Sequence, residues 1–202
     1  MQPFTKLTAV AAPLDLANID TDKIIPARFL RRLRGPGYEK LAFHDIRYDA
    51  NGNARPDFVL NQAPYRNAGI LVAGANFGCG SSREAAVYVL YDYGIRCVIA
   101  PSFGDIHYGN ELQNGMLPVT LPDEICQKLR QQLHDRPGAQ LAIDLESQTV
   151  TGPDGATYRF DIDPNHKERL LKGLDDIDLV MQNINEIEAF EQRHHRELPW
   201  LA

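Results

Sequence analysis

The chain has 202 residues, 44% of them hydrophobic and 24% charged, and carries a formal net charge of −6. That is the balance of a globular chain long enough for one core with room for a subsidiary lobe, and it argues against a duplex-binding surface, which needs a basic excess. No apolar run reaches membrane-spanning length and the N-terminus has no signal-peptide core, so a cytoplasmic protein with no nucleic-acid or membrane partner is expected.

The first third of the chain shows little regular periodicity. Asn18-Ile19-Asp20-Thr21-Asp22-Lys23-Ile24-Ile25-Pro26 sets two acidic groups in a turn ahead of an apolar pair. The Gly and Glu that complete a calcium loop are missing, so Asp20 and Asp22 are expected to bond turn amides. Phe29-Leu30 then leads into Arg31, Arg32 and Arg34 and the break Gly35-Pro36-Gly37. With Arg28 this is a basic cluster on an acidic chain. It reads as a mobile loop able to cover a ligand, with a solvated basic face as the alternative.

Regular structure begins at Ile70–Ala73, a short apolar run ended by Gly74, and resumes as a helix over Glu84–Tyr93 closed by Gly94. Between them lies the most informative stretch, Asn76-Phe77-Gly78-Cys79-Gly80-Ser81-Ser82-Arg83-Glu84. Gly78 and Gly80 allow backbone angles and close approaches that a side chain would block. Ser81, Ser82 and Arg83 fall where free amides of the first helical turn are expected, so an anion there would meet amides, a helix dipole and a guanidinium together. Ser81-x-x-Glu84 is also a capping box that would simply start the helix. A plain cap needs neither two glycines nor Arg83. A dinucleotide fingerprint fails, because Arg83 stands where a third small residue belongs and no acidic residue follows at the usual distance; no Gly-Lys-Ser/Thr is present either.

Downstream come an apolar run at Val98–Ala100 stopped by Pro101, a helix over Asp105–Asn114 with Gly115 beyond it, and a strand at Leu117–Leu121. Strands alternating with helices predict an α/β fold with a βαβ-containing, largely parallel sheet. Ligands of such sheets gather beyond the carboxyl ends of the strands, so Ser102-Phe103-Gly104-Asp105 is expected to line the same crevice as the glycine loop. Asp123 is expected to cap a helix carrying Ile125, Leu129 and Leu133 on one face. Leu141–Leu145 and Thr157–Ile162 flank Gly152-Pro153-Asp154-Gly155 and read as a hairpin-like pair. A polar terminal helix is expected over Asn185–Arg196. No repeat, low-complexity tract or linker appears, so 1–202 reads as one domain.

Cys79, Cys97 and Cys126 form no Cys-x-x-Cys pair and no zinc pattern, so no metal site is expected on this chain. Cys97 lies in an apolar run and reads as a buried small hydrophobe; Cys79 lies inside the glycine loop, where a chemical role would need a cationic neighbour and exposure.

Three motifs in order, Asn18–Asp22, Asn76–Glu84 and Ala100-Pro101-Ser102-Phe103-Gly104-Asp105-Ile106, resemble the small subunits of 3-isopropylmalate dehydratase, the aconitase-type isomerase of leucine biosynthesis. The similarity runs through nearly the whole chain, including Tyr108-Gly109-Asn110 and Gly173-Leu174-Asp175. The resemblance implies a swivelling β/β/α domain of the aconitase type that docks on a separate large subunit, and it places a [4Fe–4S] cluster on that partner and no cofactor on this chain. By motif, Ser81 matches the serine whose alkoxide takes a proton from carbon, and Ser82 and Arg83 match ligands of a substrate carboxylate. Gly78, Cys79 and Gly80 supply the loop backbone. Phe29, Leu30 and Arg31 fall in the stretch that discriminates the substrate's side group. Phe29 and Leu30 suit an isopropyl group, while Arg31 suits a further carboxylate, which leaves dimethylmalate-, citraconate- and homoaconitate-type diacids open beside isopropylmalate. A non-catalytic anion-binding module is the reading from a different class. One departure from the family pattern is Ala85, where histidine is common.

Overall fold

Strand β1 (Lys6–Leu14) joins the two halves of the sheet. Its second half pairs in parallel with β2 (Ile70–Ala73), Ala11 opposite Ile70 and Leu14 opposite Ala73. Its first half pairs antiparallel with β5 (Gln140–Asp144), Lys6 opposite Asp144. The computed structural model describes residues 1–201. In chain order the helices are α1 (Thr21–Ile24), α2 (His44–Arg47), α3 (Glu84–Tyr93), α4 (Asp105–Gln113), α5 (Asp123–Asp135), α6 (Pro164–Lys172), α7 (Asp176–Met181) and α8 (Ile184–Glu197). The remaining strands are β3 (Cys97–Ala100), β4 (Leu117–Thr120), β6 (Thr149–Thr151) and β7 (Thr157–Arg159), and the sheet order is β4-β3-β2-β1-β5-β6-β7.

The run β1-β2-β3-β4 is parallel, with α3 and α4 as the crossovers between β2, β3 and β4. The run β1-β5-β6-β7 is antiparallel. The sheet is therefore mixed, with its parallel half as expected. The hairpin expectation needs correction. Gly152–Gly155 does turn a hairpin, but its arms are β6 and β7, and Leu141–Leu145 pairs with β6 instead of Thr157–Ile162. A three-residue Thr-Val-Thr strand carries too little pattern to be visible in sequence.

Both faces of the parallel half are covered, which is why its strands are continuous apolar runs. On β2, Leu71 and Ala73 face one core with Ile19, Ile24, Phe43 and the buried side of α3. Ile70 and Val72 face the other with Leu112, Leu129 and Leu133 of α4 and α5. Helix α3 ends as its sequence predicts: Gly94 takes φ 110° and its N–H returns to Leu90 O. Helix α5 starts one residue earlier in role than expected. Pro122 is its N-cap, and Asp123 sits in the first turn, where it accepts from Gln127 Nε2 at 2.7 Å.

The arginine-rich loop carries an ion pair at each end. Arg28 grips Asp45 with both Nη atoms and holds its carboxyl down at about 2. Arg34 grips Asp92 of α3 through Nε at 2.8 Å and Nη2 at 2.6 Å, and stacks 4.8 Å from the Tyr88 ring centre. Only the apex projects, with Leu33 89% exposed. No helix among the described residues is long and apolar enough to cross a membrane.

Candidate active site

The carboxyl ends of β1, β2 and β3 release three segments that backbone hydrogen bonds lace together. Gly78 N–H donates to Ile19 O at 2.7 Å and Thr21 N–H to Cys79 O at 3.0 Å, so the segment after β1 lies along one side of the glycine loop. Phe77 N–H donates to Ser102 O at 3.0 Å and Gly104 N–H to Phe77 O at 2.8 Å, which sets the segment after β3 along the other side. Asn76 adopts φ 61° and is held by Ser102 Oγ on its amide and Asn18 Oδ1 on its side chain, both at 2.9 Å. Ser102–Asp105 thus backs the loop more than it lines the crevice. Ser102, Phe103 and Asp105, with Pro101, Tyr108 and Thr120, line a cavity to which the glycine loop contributes no residue.

Both loop glycines are left-handed, Gly78 at φ 71° and Gly80 at φ 95°. Their surroundings differ. A Cβ on Gly78 would lie 2.2 Å from ring carbons of His107, whereas one on Gly80 would find nothing nearer than Asp20 Cβ at 3.6 Å. Gly80→Ala should therefore cost only the left-handed penalty of about 1–2 kcal/mol. Gly78→Ala adds the overlap with the ring and should exceed about 3 kcal/mol. Chemical denaturation of the two variants checks this, and equal losses would show that the His107 ring moves aside.

The capping box does not form. Helix α3 begins at Glu84, its N-cap is Arg83, and no side chain caps it. Glu84 instead accepts from Asn114 Nδ2 at 2.9 Å. Ser81 and Ser82 precede the helix instead of lying on its first turn, and both are exposed. Ser81 O accepts from Thr21 Oγ1 at 3.1 Å, while neither serine hydroxyl is engaged within the described chain. From Gly80 through Ala85 no backbone N–H donates to an acceptor among the described residues. A run of free amides ahead of a helix N-terminus is a receptor for an oxyanion.

Arg83 flanks this run. Its side chain is 15% exposed and its Nη1 lies 2.6 Å from Asp22 Oδ2. The Asp22 and Asp20 carboxylates do bond turn amides as expected, Ala27 N–H at 3.2 Å and Lys23 N–H at 2.7 Å; the pairing of Asp22 with Arg83 is not visible in the sequence. Phe29, Leu30 and Arg31 are not bonded to Ser81, Ser82 or Arg83. Phe29 is half-buried, its ring 4.8 Å from that of His44 with the Arg28 guanidinium 4.5 Å from its centre. Leu30 and Arg31 are exposed. Ala85, in the first turn of α3, packs against the first core.

Beneath Gly78 lies a pair that sequence reasoning missed. His107 Nε2 approaches Glu111 Oε1 at 3.0 Å, one turn apart on α4 and both buried. Burial pushes the Glu111 carboxyl up, and His107 pulls it partly back. An i, i+4 His/Glu spacing on an otherwise apolar helix face was the available signal.

Burial also pushes the thiol of Cys97 well up and that of Cys126 up to about 11, while Cys79 is half-buried in the loop. Among the described residues no three His, Cys, Asp or Glu side chains gather to hold a metal ion. With one half-buried cysteine in the loop and two protonated thiols in the core, the residues present do not fit an iron–sulfur cluster.

A parallel half-sheet with a free-amide glycine loop at its carboxyl ends, extended by an antiparallel half, defines a swivelling α/β domain of the aconitase class; residues 1–124 match the family described as the aconitase C-terminal domain. Residues 127–164 match the family described as LeuD_N, and 176–202 match the C-terminal domain family of the 3-isopropylmalate dehydratase small subunit. The chain is 52% identical over its full length to the full-length 3-isopropylmalate dehydratase small subunit of Parvibaculum lavamentivorans. It is 53% identical to that of Gluconacetobacter diazotrophicus, over 99% of this chain and 97% of the relative. The chain belongs to the family of 3-isopropylmalate dehydratase small subunits. The fold agrees with the crystal structure of a 3-isopropylmalate dehydratase from Methanocaldococcus jannaschii, at a TM-score of 0.65 and 24% identity over 92% of this chain and 99% of that one.

Proposed function

We propose that residues 1–202 act as one swivelling domain, the small subunit of a cytoplasmic hydro-lyase that converts 2-isopropylmalate to 3-isopropylmalate through isopropylmaleate in leucine biosynthesis. The observation that carries this reading is the run of unpaired amides from Gly80 through Ala85 around an exposed Ser81 hydroxyl, flanked by Arg83. A serine alkoxide is accessible as a base only where donors stabilise it, and free amides before a helix do that. Ser81 Oγ takes the proton from the substrate carbon beside the hydroxyl-bearing one. The carbon–hydrogen electrons form the double bond as hydroxide leaves. The return step hands that proton to the other carbon as hydroxide adds to the first. Ser82 and Arg83 hold a substrate carboxylate meanwhile, Arg83 through its planar fork. A [4Fe–4S] cluster on the large subunit would supply Lewis acidity toward the departing hydroxyl; this chain supplies the proton chemistry and the carboxylate contacts.

The test is reconstitution. The chain alone should be colourless and inactive, and anaerobic assembly with its cognate large subunit should produce hydration of isopropylmaleate. Dimethylmaleate, citraconate and homoaconitate assayed in parallel identify the side group accepted. Hydro-lyase activity or iron–sulfur absorbance from the isolated chain would overturn the division of labour.

A further inference from the structure

We propose that Asp22 is a positioning residue that holds Arg83 for the substrate carboxylate and couples it to the turn that begins at Ala27. This rests on the reading of Arg83 as a carboxylate ligand. The two acids of the Asp20-Thr21-Asp22 turn do different things. Asp20 builds the turn: its Oδ1 caps α1 by accepting from Lys23 N–H at 2.7 Å, and its Oδ2 lies 3.6 Å from the Lys23 ammonium. Asp22 faces outward and divides its carboxylate. Oδ2 meets Arg83 Nη1 at 2.6 Å, and Oδ1 accepts from Ala27 N–H at 3.2 Å. Ala27 opens the 3-10 turn Ala27–Phe29, so one carboxylate spans the carboxylate-binding arginine and the side-group stretch Phe29–Arg31.

Three features make this a support and not a loose surface pair. Arg83 Nη1 is buried and has no well-aligned hydrogen bond, so Asp22 is the charge that compensates it. The Nε–Nη2 edge makes no hydrogen bond within the described chain and is left to receive a second carboxylate in the bidentate geometry. Asp22 itself is 56% exposed, but its backbone is fixed: Thr21 and Ile24 beside it are buried, and Thr21 bonds the glycine loop through both its N–H and its hydroxyl.

The experiment uses the full complex with the cognate large subunit. Asp22→Asn keeps the shape and removes the charge; Asp22→Glu keeps the charge. Asp22→Asn should raise KM for isopropylmaleate about tenfold, the scale of one charge-assisted hydrogen bond, with kcat changed less than threefold. It should also shrink the preference for isopropylmaleate over citraconate, because the link to Ala27 is weakened. Asp22→Glu should restore part of both. A merely structural role would lower melting and scale both substrates equally. An unchanged KM and preference would overturn the proposal, and a lowered KM would show that Asp22 competes with substrate for Arg83. A wild-type complex inactive on every diacid sinks the functional reading and this one with it; an active wild type with an indistinguishable Asp22→Asn sinks this one alone.

Discussion

Ser81→Ala should assemble with the large subunit and melt like the wild type, yet lose about 10²–10⁴ in kcat, the range for removal of a general base. The structure makes this a sharper test than the sequence allowed. Had Ser81 been the helix cap, its loss would cost about 1 kcal/mol of stability and mix folding with chemistry. It is not the cap: α3 starts at Glu84 behind Arg83. The Ser81 side chain is exposed and its hydroxyl is unbonded within the described chain, while its fixed contact is the backbone carbonyl taken by Thr21. Alanine therefore leaves the loop's scaffold intact. Exchange of the substrate's abstractable hydrogen with solvent should fall with turnover, because Ser81 is assigned to that step. Near-normal turnover and exchange in Ser81→Ala would remove the serine from the chemistry and leave an anion-binding loop.

What the sequence made legible was local. The bounds of α3 are marked by a glycine stop and by buried Ala86, Val87, Val89 and Leu90. Strands β2 and β3 are legible because burial on both faces leaves no polar alternation to confuse with a helix. Strand β1 is not, although it is the centre of the sheet. Its sequence Lys-Leu-Thr-Ala-Val-Ala-Ala-Pro-Leu holds three alanines and a proline, and it changes partners midway, so no single face pattern spans it. Alternating strand and helix signals predict the parallel α/β half, and family resemblance adds the swivelling β/β/α class. In the site, Ser81, Ser82 and Arg83 stand out because their neighbours in sequence are glycines. The capping box misled because Gly80, at φ 95°, turns the chain before Ser81 can enter the helix. Asp22 against Arg83 and His107 beneath Gly78 are pairings across the carboxyl edge of the sheet, and no local pattern encodes them. The ion pairing of the arginine-rich loop was hidden for the same reason, since Asp45 and Asp92 lie in other elements.

The buried pair under the loop gives the other large effect. His107 Nε2 and Glu111 Oε1 lie 3.0 Å apart with almost no exposure, and none of the four polar atoms of the two side chains makes a well-aligned hydrogen bond among the described residues. Breaking such a pair costs more than replacing it, because the remaining group is stranded in a poor solvent. His107→Phe keeps a ring under Gly78 and beside Phe77, whose centre lies 5.4 Å from the imidazole, but leaves Glu111 alone. It should lose about 3 kcal/mol or more at neutral pH. The loss should depend on pH in a set direction. With its carboxyl already raised by burial and its histidine gone, Glu111 is favoured in the fold in its protonated form. Stability is then fully present below the ordinary glutamate value of about 4.3 and falls as pH rises through the folded value. Glu111→Met should cost less, since it strands no buried carboxylate. The double variant His107→Phe/Glu111→Met should return to within about 1 kcal/mol of the wild type. Denaturant unfolding of all four proteins at pH 5 and pH 8 reads the cycle. Additive losses, or a His107→Phe loss equal at both pH values, would mean that no charge is shared between the two side chains. Because a Gly78 Cβ would overlap the imidazole, the double variant also separates the ring's volume from its charge. If it is stable and active, the loop needs only a ring to rest on; if it is stable and slow, the pair sets the height of the amides around Ser81.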